Sequence, residues 1–125
     1  MTVERYFSID EASRALLLVR PVVEDIIVCG RKLLDKTERS IDEDNKLKLE
    51  FREYLTELED IGCIYNDWQF ETGIVEFPAK VKDEDVLLSW SMQDSTIEYY
   101  YLPHENFNDR RKLPDLSPEQ ELTLS

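Results

Sequence analysis

Apolar side chains in the first half of the chain recur with the period of an α-helix. Ser8 and Glu11 have the spacing of a capping box, in which two side chains bind free N–H groups at a helix start. Apolar residues and one glycine then recur at intervals of three and four, which places them along one helix face: Ile9, Ala12, Leu16, Val19, Val23, Ile26, Gly30 and Leu33. The pattern predicts a first helix at the centre of the core, in which Gly30 either allows a close approach or is a tolerated weak position.

A second helix is predicted after a short connection. Ser40 and Glu43 repeat the capping-box spacing, and Gly62 suits the left-handed conformation that ends many helices. Between them, apolar side chains again recur at intervals of three and four: Leu47, Phe51, Tyr54, Leu58 and Ile61. Because the connection is short, we expect the two helices to form an antiparallel hairpin.

Beyond Gly62 the apolar period falls to two residues, as in half-buried strands. Strands are predicted at 74–81, 86–92 and 97–102, joined by polar connections short enough for hairpin turns. The predicted fold class is α+β, a long antiparallel helical hairpin packed on a small three-stranded antiparallel β-meander. We expect a single domain over 1–113 and an extended or disordered tail over 114–125, where large apolar side chains are few.

Charge is placed unevenly along this predicted fold. The chain has 125 residues, a net charge of −13 and 42% hydrophobic residues, enough for one ordinary core. Residues 1–40 are neutral overall, whereas 41–60 carry eight acidic and three basic side chains and 61–109 carry ten and two. A surface of this sign repels phosphate groups, so we expect no nucleic-acid partner and no membrane partner.

Several further classes of protein are disfavoured by the sequence. The longest strictly apolar run, 15–19, is far shorter than the ~20 residues that cross a bilayer, and no secretory signal is legible, so we expect a cytoplasmic protein. Cys29 and Cys63 are 34 residues apart without a CxxC pair, and His104 is the only histidine. We therefore predict no metal site and no cofactor, and no motif indicates a catalytic residue.

Four segments of the chain, in order, resemble a known family. They are YFSIDEASRALLLVRP at 6–21, GIVEFP at 73–78, VLLSW at 86–90 and FNDRRKL at 107–113. Their order and spacing resemble the prokaryotic family called domain of unknown function 2203, over about residues 6–113. The resemblance implies no activity, because the family has no established one.

The family pattern matches some positions and departs from others. Glu76 stands for the family's acid after Gly-Leu-Val, Trp90 for a tryptophan on a strand, and Phe107 and Arg110 for its last motif. A serine, Ser89, replaces the usual small thiol. Tyr101 lies where the family often has histidine, and His104 follows three residues later.

The best candidate for a binding site combines one acid, two aromatic side chains and two arginines: Glu76, Trp90, Tyr101, Arg110 and Arg111. A guanidinium beside aromatic rings can hold a carboxylate or a phosphate. The alternative is structural, with Arg110 paired to Glu76 or Asp109 and closing the end of the sheet.

Two classes of function remain open from the sequence. The first is a protein-interaction or assembly module that forms a homodimer through its helices. The apolar surface of the first helix is wider than one other helix and a small sheet would cover, which leaves part of it for a second molecule. Its interface residues would be Leu16, Val19, Val23 and Ile26. The rival is a small-anion or metabolite-binding protein, with or without enzyme activity, that uses the strand-end aromatic residues and the two arginines.

A simple structural observation separates the two classes. A concave pocket at Trp90, Tyr101 and Arg110 favours the binding protein, whereas a flat apolar helical face favours the assembly module. A third possibility, an acidic partner for a basic protein, follows from the charge of 41–109 and predicts salt-sensitive association.

Overall fold

The computed structural model describes residues 5–35, 38–81 and 83–113. Its elements in chain order are α1 (Ile9–Leu34), α2 (Ile41–Ile61), β1 (Ile64–Tyr65), β2 (Val75–Val81), β3 (Glu84–Trp90), β4 (Tyr99–Tyr101), a 3-10 helix (Phe107–Asp109) and β5 (Arg111–Lys112). The predicted α+β class is confirmed, and the tail predicted at 114–125 lies outside the described residues.

Both helices begin at the predicted caps. At α1 the Ser8 hydroxyl accepts a hydrogen bond from the Glu11 N–H at 3.0 Å, and the Glu11 carboxylate accepts one from the Ser8 N–H at 3.1 Å. At α2 the Ser40 hydroxyl accepts from the Glu43 N–H but also donates to the Glu43 carboxylate, so half of the box forms. Gly62 ends α2 in the left-handed conformation, as its position predicted.

The two helices run antiparallel and pack against each other. Near one end the Cys29 thiol lies 3.4 Å from the Leu47 carbonyl oxygen, which joins late α1 to early α2. Near the other end the Arg5 guanidinium donates to the Ile61 carbonyl at 3.3 Å, which joins the segment before α1 to the end of α2. The predicted helical hairpin is therefore present.

Within the described residues the sheet has five antiparallel strands in the order β1-β2-β3-β4-β5, so the predicted three-stranded sheet is wrong. The three predicted strands form its centre as β2, β3 and β4. The two additional strands lie at its edges and contain two residues each. A two-residue strand is too short to show a period of two, which is why the hydrophobic pattern missed them.

The register separates the strand residues into two faces. One face carries Val75, Phe77 and Ala79 of β2 beside Trp90, Leu88 and Val86 of β3. Arg20 of α1 lies over the Trp90 ring at 5.0 Å, so this face is covered by α1, and we call it the inner face. The opposite, outer face carries Glu76, Pro78, Leu87, Ser89 and Tyr101, and all five are buried as well.

The structure places the predicted interface residues of α1 in the core of the single chain. Leu16, Val19, Val23 and Ile26 are all buried within a single chain, where they join the core with the inner face of the sheet. The pattern correctly identified a covered helix face, but the chain's own sheet covers it. A surface for another molecule on α1 must therefore use other side chains.

Of the two interpretations of Gly30, the structure supports the close approach of another residue to the helix backbone. A Cβ atom at this position would lie 2.5 Å from the Phe70 ring, which packs directly on the helix backbone. The same ring makes an edge contact with Phe51 of α2 at 5.6 Å between centroids. Phe70 thus joins the segment between β1 and β2 to both helices.

We predict that Gly30→Ala destabilises the protein by about 1 to 3 kcal/mol, because the added methyl group overpacks the contact with Phe70. A glycine that only weakened the helix would give the opposite sign, a gain of about 1 kcal/mol with alanine. Denaturant unfolding measures the difference. In the Phe70→Leu background the cost of Gly30→Ala should fall, and an equal cost in both backgrounds would contradict the contact.

Asp67 organises the segment that carries Phe70. Its Oδ2 accepts hydrogen bonds from the N–H groups of Glu71, Thr72 and Gly73 at 2.8–2.9 Å, and its Oδ1 accepts one from Gln69 at 3.3 Å. Burial alone would raise the pKa of the Asp67 carboxyl, but these backbone donors outweigh it and hold the pKa below its usual value of 3.8.

Asp67→Asn should lower the free energy of unfolding by about 2 to 3 kcal/mol at pH 7, because the amide keeps only one acceptor oxygen. A lowered pKa in the folded state stabilises above the unfolded value, so the contribution is lost as pH falls below 3.8 toward the folded pKa. Urea unfolding at pH 7 and pH 3 tests both statements. A difference between wild type and variant that stays constant over this range would contradict the role of the charge.

Candidate functional site

The five predicted ligand-binding residues do not form a single pocket. Trp90 lies on the inner face, where its indole N–H donates to the Asp94 carbonyl at 2.9 Å. Glu76 and Tyr101 lie on the outer face. The sheet therefore separates the tryptophan from the acid, since neighbouring ladder positions alternate between faces.

Arg110 is held by a carboxylate and two aromatic rings. Its guanidinium donates to the Asp94 carboxylate at 3.0 Å and lies 4.1 Å from the Tyr99 ring centroid and 4.2 Å from that of Phe107. The side chains of Arg110 and Asp94 are only 20% and 12% exposed. The structural alternative is therefore the better description of Arg110, although its partner is Asp94 rather than Glu76 or Asp109.

Asp94 connects three parts of the chain at this end of the sheet. Its carboxylate accepts from the Ser91 N–H at 3.1 Å as well as from Arg110, and its carbonyl accepts from Trp90 and from Arg20 of α1. These contacts join α1, the end of β3 and the segment before β5. The cluster is suited to holding the sheet together rather than to binding a ligand.

Arg111 has a carboxylate partner of its own. Its guanidinium donates to the Glu105 carboxylate at 2.6 Å and lies 5.7 Å from the Tyr100 ring. Both arginines of the predicted anion site are thus paired within the chain. An incoming anion would have to compete with a carboxylate for each of them.

Glu76 has the most unusual environment of the five residues. It is the second residue of β2 with 6% of its surface exposed, and the Asn66 amide donates to its Oε2 at 2.8 Å. Burial raises the pKa of the Glu76 carboxyl above its ordinary value, and the hydrogen bond from Asn66 offsets part of that rise. No ion pair with Glu76 is found within the described ranges.

Two buried hydroxyl groups belong to the same face as Glu76. Ser89 is its direct neighbour across the ladder, and Tyr101 follows on β4 beside Leu87. Neither the Ser89 Oγ nor the Tyr101 hydroxyl has a hydrogen-bond partner in the part of the chain that the structure describes. Buried polar atoms are normally paired, so this face holds an unusual amount of unsatisfied hydrogen-bonding capacity.

A cavity of about 410 Å³ opens beside Glu76 on the outer face. Its lining is mostly apolar and includes Tyr6, Ile64, Pro78, Leu87 and Pro103, together with the polar groups of Asn66, Glu76 and Asp85. It includes neither Trp90 nor Arg110. The cavity therefore differs in place and in charge from the predicted anion site, and we call it the Glu76 cavity.

The chemistry available in the Glu76 cavity is that of a hydrogen-bond acceptor and a negative charge. Its carboxylate suits a cation or a strong donor and repels an anion. Within the described ranges no three His, Cys, Asp or Glu side chains are placed to hold a metal ion. Neither α1 nor α2 has an apolar stretch long enough to span a lipid bilayer.

A scan against protein-family models matches residues 5–113 to a family described as an uncharacterized conserved protein, DUF2203. The chain belongs to the DUF2203 family. The matched DUF2203 region contains both helices, all five strands and the Glu76 cavity. A search of the curated proteins and a search of the solved structures find no match to the chain.

Some residues of the site escaped the sequence analysis of this DUF2203 protein. Asn66 follows a two-residue strand that had no detectable pattern, and Tyr6 and Pro103 reach the cavity from distant parts of the chain. A usable signal was present at Glu76 itself. An acid within the otherwise apolar stretch 74–79 is placed where a carboxylate loses its water.

We predict that Arg110→Ala lowers the free energy of unfolding by about 2 to 3 kcal/mol, because it leaves the Asp94 carboxylate nearly buried and unpaired. Arg111 is 45% exposed, so Arg111→Ala should cost less than about 1 kcal/mol and serves as the matched control. Chemical denaturation measures both. Equal and small effects at the two positions would contradict a structural role for Arg110.

Proposed function

We propose that this protein is an interaction module that forms a homodimer through the outward surface of α1. The observation that carries the proposal is the exposure of large apolar side chains on that helix: Leu17 is 83% exposed, Leu18 65% and Val28 55%. Exposed Pro21 lies between them along the helix. Apolar side chains that cluster on one helix are typical of interaction surfaces.

Two charged and two apolar residues of the same surface are spaced to pair with a second copy of the chain. Arg14, Leu18, Pro21 and Asp25 are all exposed and, at 100° per residue, lie within about 60° of one another around the helix axis. We call these four residues the α1 patch. The midpoint between Arg14 and Asp25 coincides with the midpoint between Leu18 and Pro21, at the Val19–Arg20 peptide.

A two-fold axis through that midpoint would make the α1 patch complementary to itself. Two antiparallel α1 helices would then place Arg14 of each chain level with Asp25 of the other, and Leu18 level with Pro21. Such isologous pairing is the commonest symmetry of homodimers. Opposite charges at both ends would fix the register, while the apolar residues between them supply the burial.

A groove next to the patch supports the same arrangement. A cavity of about 320 Å³ lies between α1 and the turn at 95–96, with Leu16, Leu17 and Pro21 among its lining residues. An apolar side chain of the partner helix has a place to pack there.

The rival function, binding of a small anion, has lost its main support. It depended on Arg110 and Arg111, and each of these is paired to a carboxylate of the same chain. The proposed dimer depends on neither residue. Only the location of its interface differs from the sequence-based hypothesis, because Leu16, Val19, Val23 and Ile26 are buried.

We expect wild-type protein to give a molar mass near twice 14.8 kDa by size-exclusion chromatography with light scattering. Leu18→Glu should give the monomer mass, because it places a carboxylate in the apolar centre of the interface. Leu49→Glu is the matched control, since Leu49 is 55% exposed on α2 and lies outside the patch. It should leave the dimer intact.

A charge exchange tests the proposed two-fold axis itself. Arg14→Asp should weaken the dimer by bringing two acids together, and Arg14→Asp combined with Asp25→Arg should restore it. A wild-type mass that remains monomeric at every concentration would contradict the proposal. A dimer that survives both Leu18→Glu and Arg14→Asp would place the interface elsewhere.

A further inference from the structure

The Glu76 cavity presents a charge that the described chain does not neutralise. The Glu76 side chain is more than nine-tenths buried, yet its Oε1 receives no hydrogen bond from the described residues, and its Oε2 receives one from Asn66. Burying a carboxylate without a cation or several donors is costly. Such a group avoids this cost by keeping its proton or by pairing with a cation.

Within the described residues no cation forms an ion pair with Glu76. Lys80 lies on the same face of β2, but its ammonium group is 3.8 Å from the Asp85 carboxylate and 4.8 Å from the Tyr6 ring centroid. Arg110 and Arg111 are paired to Asp94 and Glu105. The positive charge that would complement Glu76 therefore has to come from outside the described chain.

The other lining residues of the cavity indicate which kind of molecule supplies that positive charge. Ile64, Pro78, Leu87 and Pro103 give it apolar walls, and the Asn66 amide gives a second polar contact beside Glu76. At about 410 Å³ the cavity lies within the size range of small-molecule sites. A metal ion would need several oxygen or nitrogen ligands, whereas an organic cation needs one carboxylate and an apolar surface.

We propose that the Glu76 cavity binds a small organic cation, a protonated amine that pairs with the Glu76 carboxylate while its apolar body packs on Pro78 and Leu87. The Asn66 side chain positions the carboxylate by holding its Oε2. The overall charge of −13 attracts cations to the surface and disfavours anions. This site does not depend on the proposed dimer, because it lies on the face of the sheet opposite to α1.

Three probes of nearly equal shape test the charge requirement. Benzylamine is a cation at neutral pH, benzyl alcohol is neutral and benzoate is an anion. In two-dimensional amide NMR spectra of the full chain at millimolar probe, benzylamine should shift the signals of Asn66, Glu76 and Leu87 in a saturable manner. Benzyl alcohol should bind at least about tenfold more weakly, since it lacks the charge-assisted hydrogen bond, and benzoate should cause no shift at these residues.

Variants then assign the charge requirement to Glu76. Glu76→Gln removes the charge with little change in shape, and it should weaken benzylamine binding at least about tenfold. Glu53→Gln, on the exposed surface of α2, makes the same change in net charge and should leave binding unchanged. Glu76→Asp keeps the charge, but its side chain is one methylene group shorter and holds the carboxylate farther from the ligand. This variant should bind benzylamine with an affinity between those of the wild type and Glu76→Gln. Thermal melting of each variant shows that it is folded.

Three results would overturn the proposal. The first is the absence of saturable benzylamine shifts in the wild-type protein. The second is equal binding of benzylamine and benzoate. The third is unchanged benzylamine affinity in folded Glu76→Gln and Glu76→Asp. None of these outcomes affects the oligomeric state, so failure of this site is distinguishable from failure of the proposed dimer.

Discussion

Burial of β2 and β3 on both faces is the constraint on which the structure depends. On the inner face the apolar side chains of both strands pack on α1, and on the outer face Glu76, Pro78, Leu87 and Ser89 are buried too. Strand geometry sends successive residues to opposite faces, so a single strand must satisfy two separate environments. The inner environment is a conventional core. The outer one contains a carboxylate and hydroxyl groups with fewer partners than buried polar groups normally have.

The same constraint explains what the helices do. α1 joins one core with the sheet and α2, and Gly30 brings the Phe70 ring onto its backbone. Asp67 holds the segment that carries Phe70 by accepting four backbone hydrogen bonds. One side of α1 remains in solvent and carries Leu17 and Leu18. That side is where the proposed function lies, and it is separate from the Glu76 cavity.

Much of the architecture follows from the sequence, because its signals are local. The caps at Ser8 and Ser40 and the left-handed end at Gly62 depend on residues within a few positions of each other. The three central strands show their period over several residues. The edge strands Ile64–Tyr65 and Arg111–Lys112 do not, since pairing with a neighbouring strand defines them.

The site was predictable only in part, since it depends on which residues meet across the sheet. Glu76 and Tyr101 were identified and do share the outer face, but Trp90 is on the other side and Arg110 pairs with Asp94. The spacing of charged residues along the chain could not indicate these pairings. The apolar pattern of α1 showed that a face is covered without showing that the chain's own sheet covers it.

The most direct test of this account is the titration of the Glu76 carboxyl group, followed by carbon-detected NMR of its side-chain carbon. Burial with a single hydrogen bond predicts a pKa above the ordinary glutamate value of 4.5. A pKa for Glu76 at or below 4.5 would mean that the carboxylate is solvated or already paired, and would contradict the burial of an unpaired carboxylate on the outer face.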